Sequence, residues 1–80
     1  PGAFTKLNGK TLKIQKSVLS DKKGNNIPGE VVFVDGKLIV SCGDNNCVEL
    51  KEIQLEGKKR MEAAAFLNGR KLSKGTVLGK

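Results

Sequence analysis

The sequence predicts a mostly β domain: a small closed antiparallel barrel of five to six strands, with one short helix near the C-terminus. Three observations predict it. Short apolar stretches with period-two alternation follow one another between residues 11 and 55. Turn signals separate them at Asn8-Gly9, Asp35-Gly36 and Gly43 to Asn46. A single compact run of strong helix formers, Met61 to Leu67, comes after them. The 80 residues make one domain, 1–80, with a modest core.

The elements follow in order. After the Asn8-Gly9 turn, Thr11 to Leu19 reads as a half-buried strand, because Leu12, Ile14 and Val18 share a parity. Lys16 interrupts that apolar series. Either a bulge re-aims it, or its stem lies along the barrel while its head reaches water. Asp21 to Gly29 is polar, ends in Pro-Gly and reads as a mobile loop. Glu30 to Val34 is mainly apolar on both faces, the pattern of a central strand. The Asp35-Gly36 turn joins it to a strand over Lys37 to Cys42. In Cys47 to Leu55, Val48 and Leu50 share one parity, while Ile53 and Leu55 have the other. That switch predicts a bulge near Lys51-Glu52, a device that curls sheets.

The helix is only about two turns, so it must dock on the sheet to persist. Ala63, Phe66 and Leu67 are spaced to form its buried stripe, and Asn68-Gly69 is suited to cap it. Thr76 to Leu78 reads as a short closing strand. The three aromatics, Phe4, Phe33 and Phe66, are all assigned to the core. These elements suit a barrel of the oligonucleotide-binding type. An SH3-like barrel fits the pattern nearly as well.

The formal net charge is +7, a balance that favours a nucleic-acid or acidic-surface partner. Residues 1–23 carry a net +5, residues 24–57 a net −4 and residues 58–80 a net +6. If the two basic ends meet on one side of a barrel, one face is strongly positive. Lys58, Lys59 and Arg60 form one cationic cluster, Arg70, Lys71 and Lys74 a second, and Lys10, Lys13 and Lys16 a third. The first cluster sits just ahead of the helix formers. Cations there are unfavourable for an isolated helix, but they suit a bound phosphate. The plain alternative for each cluster is a solvated face. With no Tyr, no Trp and three Phe in the core, a single-strand stacking groove is not expected. Contact with the backbone of a structured RNA fits better.

Catalytic chemistry finds little to work with. The chain has no His, which excludes His-based general acid–base catalysis, a Ser-His-Asp triad and a Cys-His pair. Glu49 and Glu52, with Lys51 between them, read as an exposed strand face. Two cysteines in the form CGDNNC cannot close a four-ligand zinc site, so no metal is expected. Cys42 and Cys47 could face each other across a hairpin, although two space-filling thiols suit a cytoplasmic protein better. No long apolar run suggests a membrane helix, and no charged-then-apolar leader suggests export. The opening on Pro1-Gly2 without Met is expected of a piece of a longer protein. A monomer is the default, since no exposed apolar stripe stands out.

One stretch carries more than pattern. QLEGKKRMEAAAFLNGR, Gln54 to Arg70, resembles the C-terminal domain of methionyl-tRNA formyltransferases. The likeness extends to PGAF (Pro1 to Phe4), NGKTLKI (Asn8 to Ile14), Pro28-Gly29, Ser41-Cys42-Gly43 and KGTVLG (Lys74 to Gly79). None of these is specific alone; their order and spacing are. The resemblance implies an OB-like barrel that binds initiator tRNA through its backbone. It also implies a separate N-terminal catalytic domain in the same protein, which transfers the formyl group of 10-formyltetrahydrofolate. No catalytic residue and no cofactor site carries over to this chain. Two other classes fit less well. One is an interdomain packing module of another folate-dependent formyltransferase or of a formyltetrahydrofolate hydrolase. The other is a free-standing basic RNA-binding protein.

Overall fold

The computed structural model describes residues 3–70 and 72–79. The strands are β1 (Ala3–Leu7), β2 (Lys10–Ser20), β3 (Val31–Val34), β4 (Leu38–Gly43), β5 (Asn46–Leu55) and β6 (Met61–Glu62), followed by helix α1 (Ala63–Gly69). All pairings are antiparallel, in the order β1-β2-β5-β4-β3, with β6 added to β5.

Local chemistry explains the turns. Asn8 and Gly9 both take positive φ, as do Asp44 and Asn45, the geometry of tight hairpins whose twist matches the strands. The bulge expected near Lys51-Glu52 is present, and of the two readings offered for Lys16 a bulge is also found. Between the pairs Ile14–Ile53 and Lys16–Glu52, β2 carries an extra residue; between Lys16–Glu52 and Ser17–Leu50, β5 does. The second bulge falls at Lys51, where β5 exchanges its partner β4 for β6.

The inner face of the sheet closes on one core. Leu7, Leu12, Leu38, Leu50, Ile53 and Leu55 are buried there with Val31, and Ala63 and Phe66 of α1 cover them. The expected helical stripe is confirmed, with Leu67 partly buried beside it. The helix itself is displaced. Met61 and Glu62 pair with Ile53 and Glu52 as strand, so α1 starts at Ala63. It then runs through Asn68-Gly69, and its end is set by Arg70 in an extended conformation rather than by a left-handed glycine.

Four further expectations change. β3 lies at the end of the strand order, not at its centre. Val18 is 41% exposed, because the two bulges turn the distal part of β2 outward. Cys47 is buried, opposite Ser41, while Cys42 points out; both are free thiols, and burial followed by the neighbouring Cys42 pushes the Cys47 thiol up. The loop before β3 is tied down by the buried Ser41. Its hydroxyl accepts from the Asn25 and Gly43 N–H groups and donates to the Asn25 carbonyl.

The strand ladders do not close into a barrel. Among the described residues, no pairing joins β1 to β3. Residues 75–79 lace the gap instead. Gly75 N–H donates to Val31 O, Thr76 O accepts from Val31 N–H, Leu78 N–H donates to Gly29 O, and Gly79 N–H donates to Lys6 O, each at 2.7–2.8 Å. The closing strand expected over Thr76 to Leu78 is reduced to one bridge, Val77 to Glu30, and two bonds; Gly75 and Gly79 on either side add the other two. Five residues span about 17 Å at most, so edges that both bond to them must have curled together.

Gly29 sits at this seam. Its φ is +89, and a Cβ there would collide with the Leu78 carbonyl oxygen. Gly29→Ala is expected to cost about 2 kcal/mol or more from left-handed strain and a displaced seam. Gly36→Ala, at φ +68 in open space, should cost only the strain, about 1 kcal/mol. Urea denaturation followed by circular dichroism compares the two.

Candidate nucleic-acid interface

The outer face of the first hairpin and the turn after β5 form one surface. Phe4, Lys13 and Gln54 are directly opposite one another on β1, β2 and β5, so their side chains share that face. The Lys13 Nζ lies 5.7 Å from the Phe4 ring centroid. Gln54 accepts from Gln15 Nε2 at 3.2 Å and donates from Nε2 to the Lys58 carbonyl at 3.1 Å. The turn reverses through Gly57 at φ +82, and Lys58 N–H donates to Leu55 O at 2.8 Å. The backbone of Lys58 is thus held at both its N–H and its C=O, with the side chain exposed.

Two shallow grooves flank this turn. The first runs between Phe4, Thr11, Lys13, Gln54, Glu56 and Gly57. The second runs between Lys58, Met61, Phe66 and Arg70. Leu55 lines both, which puts Lys58 beside the ridge that divides them. Arg70 stands over the Phe66 ring, with its guanidinium carbon 6.0 Å from the centroid. The two ion pairs among the described residues are Lys51–Glu49 and Arg60–Glu52, so neither uses Lys13, Lys58 or Arg70.

One acid belongs to the first groove. The Glu56 carboxylate accepts the Thr11 N–H at 2.9 Å. That bond, aided by the charges of Lys6 and Lys10 and opposed by partial desolvation, holds the carboxyl below its ordinary range. Glu56 therefore stays ionised at neutral pH and locks the turn to β2.

The three clusters read from the sequence are regrouped. Lys58 and Arg70 come together across the second groove, and Lys13 joins them from the first. Lys59 is exposed beside Lys58. Arg60 bonds Glu52 through Nε at 2.9 Å and Nη2 at 2.5 Å, which offsets its charge. Lys10 is exposed at the β1–β2 hairpin. Lys16 lines a different hollow, with Lys37, Lys51, Glu49, Glu52 and Glu62, so it is flanked by acids. Lys74 is exposed in the turn where Thr76 N–H meets Ser73 O. Lys71 lies outside the described residues.

The phosphate cradle expected at the helix start is not formed as read. β6 separates Lys58–Arg60 from α1, Glu62 occupies the N-cap, and the helix has seven residues. The exposed cations lie on the sheet and the turn after β5 instead. Sequence reasoning also missed Phe4, which is 66% exposed rather than core, and Lys6 beside it. The signal was there: Thr5 and Leu7 take the inward parity of β1, which leaves Phe4 and Lys6 facing out.

Among the described residues, no group of three or more His, Cys, Asp or Glu could hold a metal ion. Nor is any helix among the described residues long and apolar enough to cross a membrane.

The fold is thus a curled, mostly β antiparallel sheet with one short C-terminal helix and a basic outer face. The family model for the formyl transferase C-terminal domain matches residues 1–71, and the chain belongs to that family. The methionyl-tRNA formyltransferase of Syntrophus aciditrophicus is 49% identical over 80 residues, covering 99% of this chain and 25% of that protein. That of Acidobacterium capsulatum is 43% identical over 79 residues, covering 99% and 25%. That of Geobacter sulfurreducens is 42% identical over 81 residues, covering 100% and 25%. The chain thus spans about a quarter of the length of these relatives, and the likeness to methionyl-tRNA formyltransferases read from its motifs is borne out.

Proposed function

We propose that this chain is the tRNA-docking domain of a methionyl-tRNA formyltransferase. It holds the backbone of initiator tRNA so that a catalytic domain elsewhere in the same cytoplasmic protein can formylate the attached methionine. The observation that carries this reading is the placement of Lys13, Lys58 and Arg70 about two adjoining grooves, outside the ion pairs of the described residues. Cations so placed neutralise phosphates and release condensed counterions, which gives affinity without reading bases. Lys10, Lys59 and Lys74 extend the same field, while Arg60 and Lys16, beside acids, contribute least.

The formyl donor, 10-formyltetrahydrofolate, and the catalytic groups are assigned to the remainder of the parent, and this chain acts by positioning alone. The curled sheet with its laced seam supports a small OB-like barrel as the scaffold.

Titration of the chain with initiator tRNA at about 50 and 200 mM salt tests the reading. Affinity is expected to fall steeply as salt rises. Absent binding at 50 mM, or binding indifferent to salt, would overturn it.

A packing module of another folate-dependent formyltransferase or of a formyltetrahydrofolate hydrolase has its own supporting observation. Leu19 is 86% exposed at the distal end of β2, next to the exposed Val18, and Ile27 is 49% exposed. Packing alone requires no RNA affinity, so the same titration separates the two readings.

A further inference from the structure

We propose that Phe4 is a base-stacking residue, whose exposed ring receives an unpaired base of the docked RNA while Lys13 and Lys58 hold phosphates about the same surface. The inference rests on the RNA-docking reading and adds to it a contact with a base. Phe4 is the one large aromatic left in water among the described residues: Phe66 is buried, and Phe33 is partly buried under Lys22. A single exposed apolar side chain needs no explanation by itself. Leu19 is one such, but it stands opposite Val48 rather than beside a cation.

Phe4 differs in its surroundings. It lies in register with Lys13 and Gln54 on three hydrogen-bonded strands, so the row is about 10 Å wide and set by sheet geometry. Gln54 is bonded on one side to Gln15 and on the other to the Lys58 carbonyl, which ties the row to the turn carrying Lys58. Thr11 and Gly57 also line the groove beside the ring. A π-face flanked by cations, on a surface open enough to admit a planar ring, is the pairing that binds a nucleotide by its base and its phosphate together. An uninterrupted duplex offers no base face to such a ring, because its bases are stacked on each other. The site therefore prefers helical RNA with an adjoining unpaired base, and it tolerates any base, since stacking uses only the π-face.

The test uses this chain with two labelled RNAs, a blunt hairpin and the same hairpin with a short unpaired 3′ extension. Wild type is compared with Phe4→Leu, which keeps apolar bulk, and with Phe4→Tyr, which keeps the ring. Phe4→Leu is expected to weaken binding of the extended hairpin roughly 5- to 100-fold. It should leave the blunt hairpin within about twofold and the salt dependence unchanged. Phe4→Tyr should match wild type. A 2-aminopurine placed in the extension should be quenched by wild type and not by Phe4→Leu. Equal loss for both RNAs, or no loss for either, would overturn the proposal. If wild type shows no salt-dependent binding to either hairpin, the docking reading fails first and this one with it. If wild type binds both with a steep salt dependence and Phe4→Leu behaves the same, only the stacking inference fails.

Discussion

Replacing Ile53 by Ala is expected to lower folding stability by about 2–5 kcal/mol, more than truncation of any surface side chain would. Ile53 is fully buried. It lies in β5, the strand that pairs with β2, β4 and β6, and it stands between Ile14 on one side and Met61 on the other. Truncation leaves a void at the junction where β5 passes from β4 to β6, next to the Lys51 bulge. That bulge already uses the local backbone freedom, so the walls can collapse little. A domain of this size has about 4–12 kcal/mol of stability in total, which makes the loss a large fraction of the whole. Urea midpoints read by far-ultraviolet circular dichroism check it. Leu19→Ala, at an exposed site, should stay within about 0.5 kcal/mol of wild type.

Changing Lys13, Lys58 and Arg70 together to Ala is expected to have the largest effect on RNA binding. Each cation that meets a phosphate adds about 0.7–0.9 to the slope of log affinity against log salt. Removing three such cations lowers that slope by roughly 2.1–2.7. Over a fourfold rise in salt, wild type should therefore lose roughly 20–40 times more affinity than the variant. All three side chains sit at the rims of the grooves rather than in the core, so folding should be little changed. Arg60→Ala provides the contrast. Its guanidinium already answers Glu52, and an exposed pair of this kind is worth at most about 1 kcal/mol, so its removal should shift the slope less than removal of Lys58. If Arg60 proved as important as Lys58, the regrouping of the cations would be wrong. Fluorescence anisotropy at several salt concentrations reads both.

The parts of the fold fixed by short-range chemistry were legible in the sequence. The hairpin at Asn8-Gly9 follows from residues that accept positive φ. The Lys51 bulge followed from a change of parity, whereas the interruption at Lys16 left a bulge as one of two readings. The helix boundary was misread because Met61 and Glu62 are good helix formers that tertiary pairing with Glu52 and Ile53 draws into strand. That two-residue shift removed the cationic helix start on which the first site reading rested. Phe4 was misplaced for a related reason: aromatic residues are usually interior, and only its parity against Leu7 marks it as outward. The choice between useful and offset cations was not legible at all. It depends on Glu52 lying across from Arg60 and on Glu49, Glu52 and Glu62 surrounding Lys16, and these neighbours are set by register rather than by proximity in the chain.

The lacing of residues 75–79 across both sheet edges also bears on how the chain matures. Its partners, Lys6 and Gly29 to Val31, are made long before it. During synthesis the strands can therefore pair while both flanks of the sheet are bare, and bare flanks invite pairing with another nascent chain. The final bonds of the seam close the longest loops, so they form late and only when the rest already holds its curvature. A molecule cut just before Gly75 would keep most of its core, yet it would carry two sticky margins. The five residues from Gly75 to Gly79 thus cover two sheet margins that would otherwise be open to a second chain.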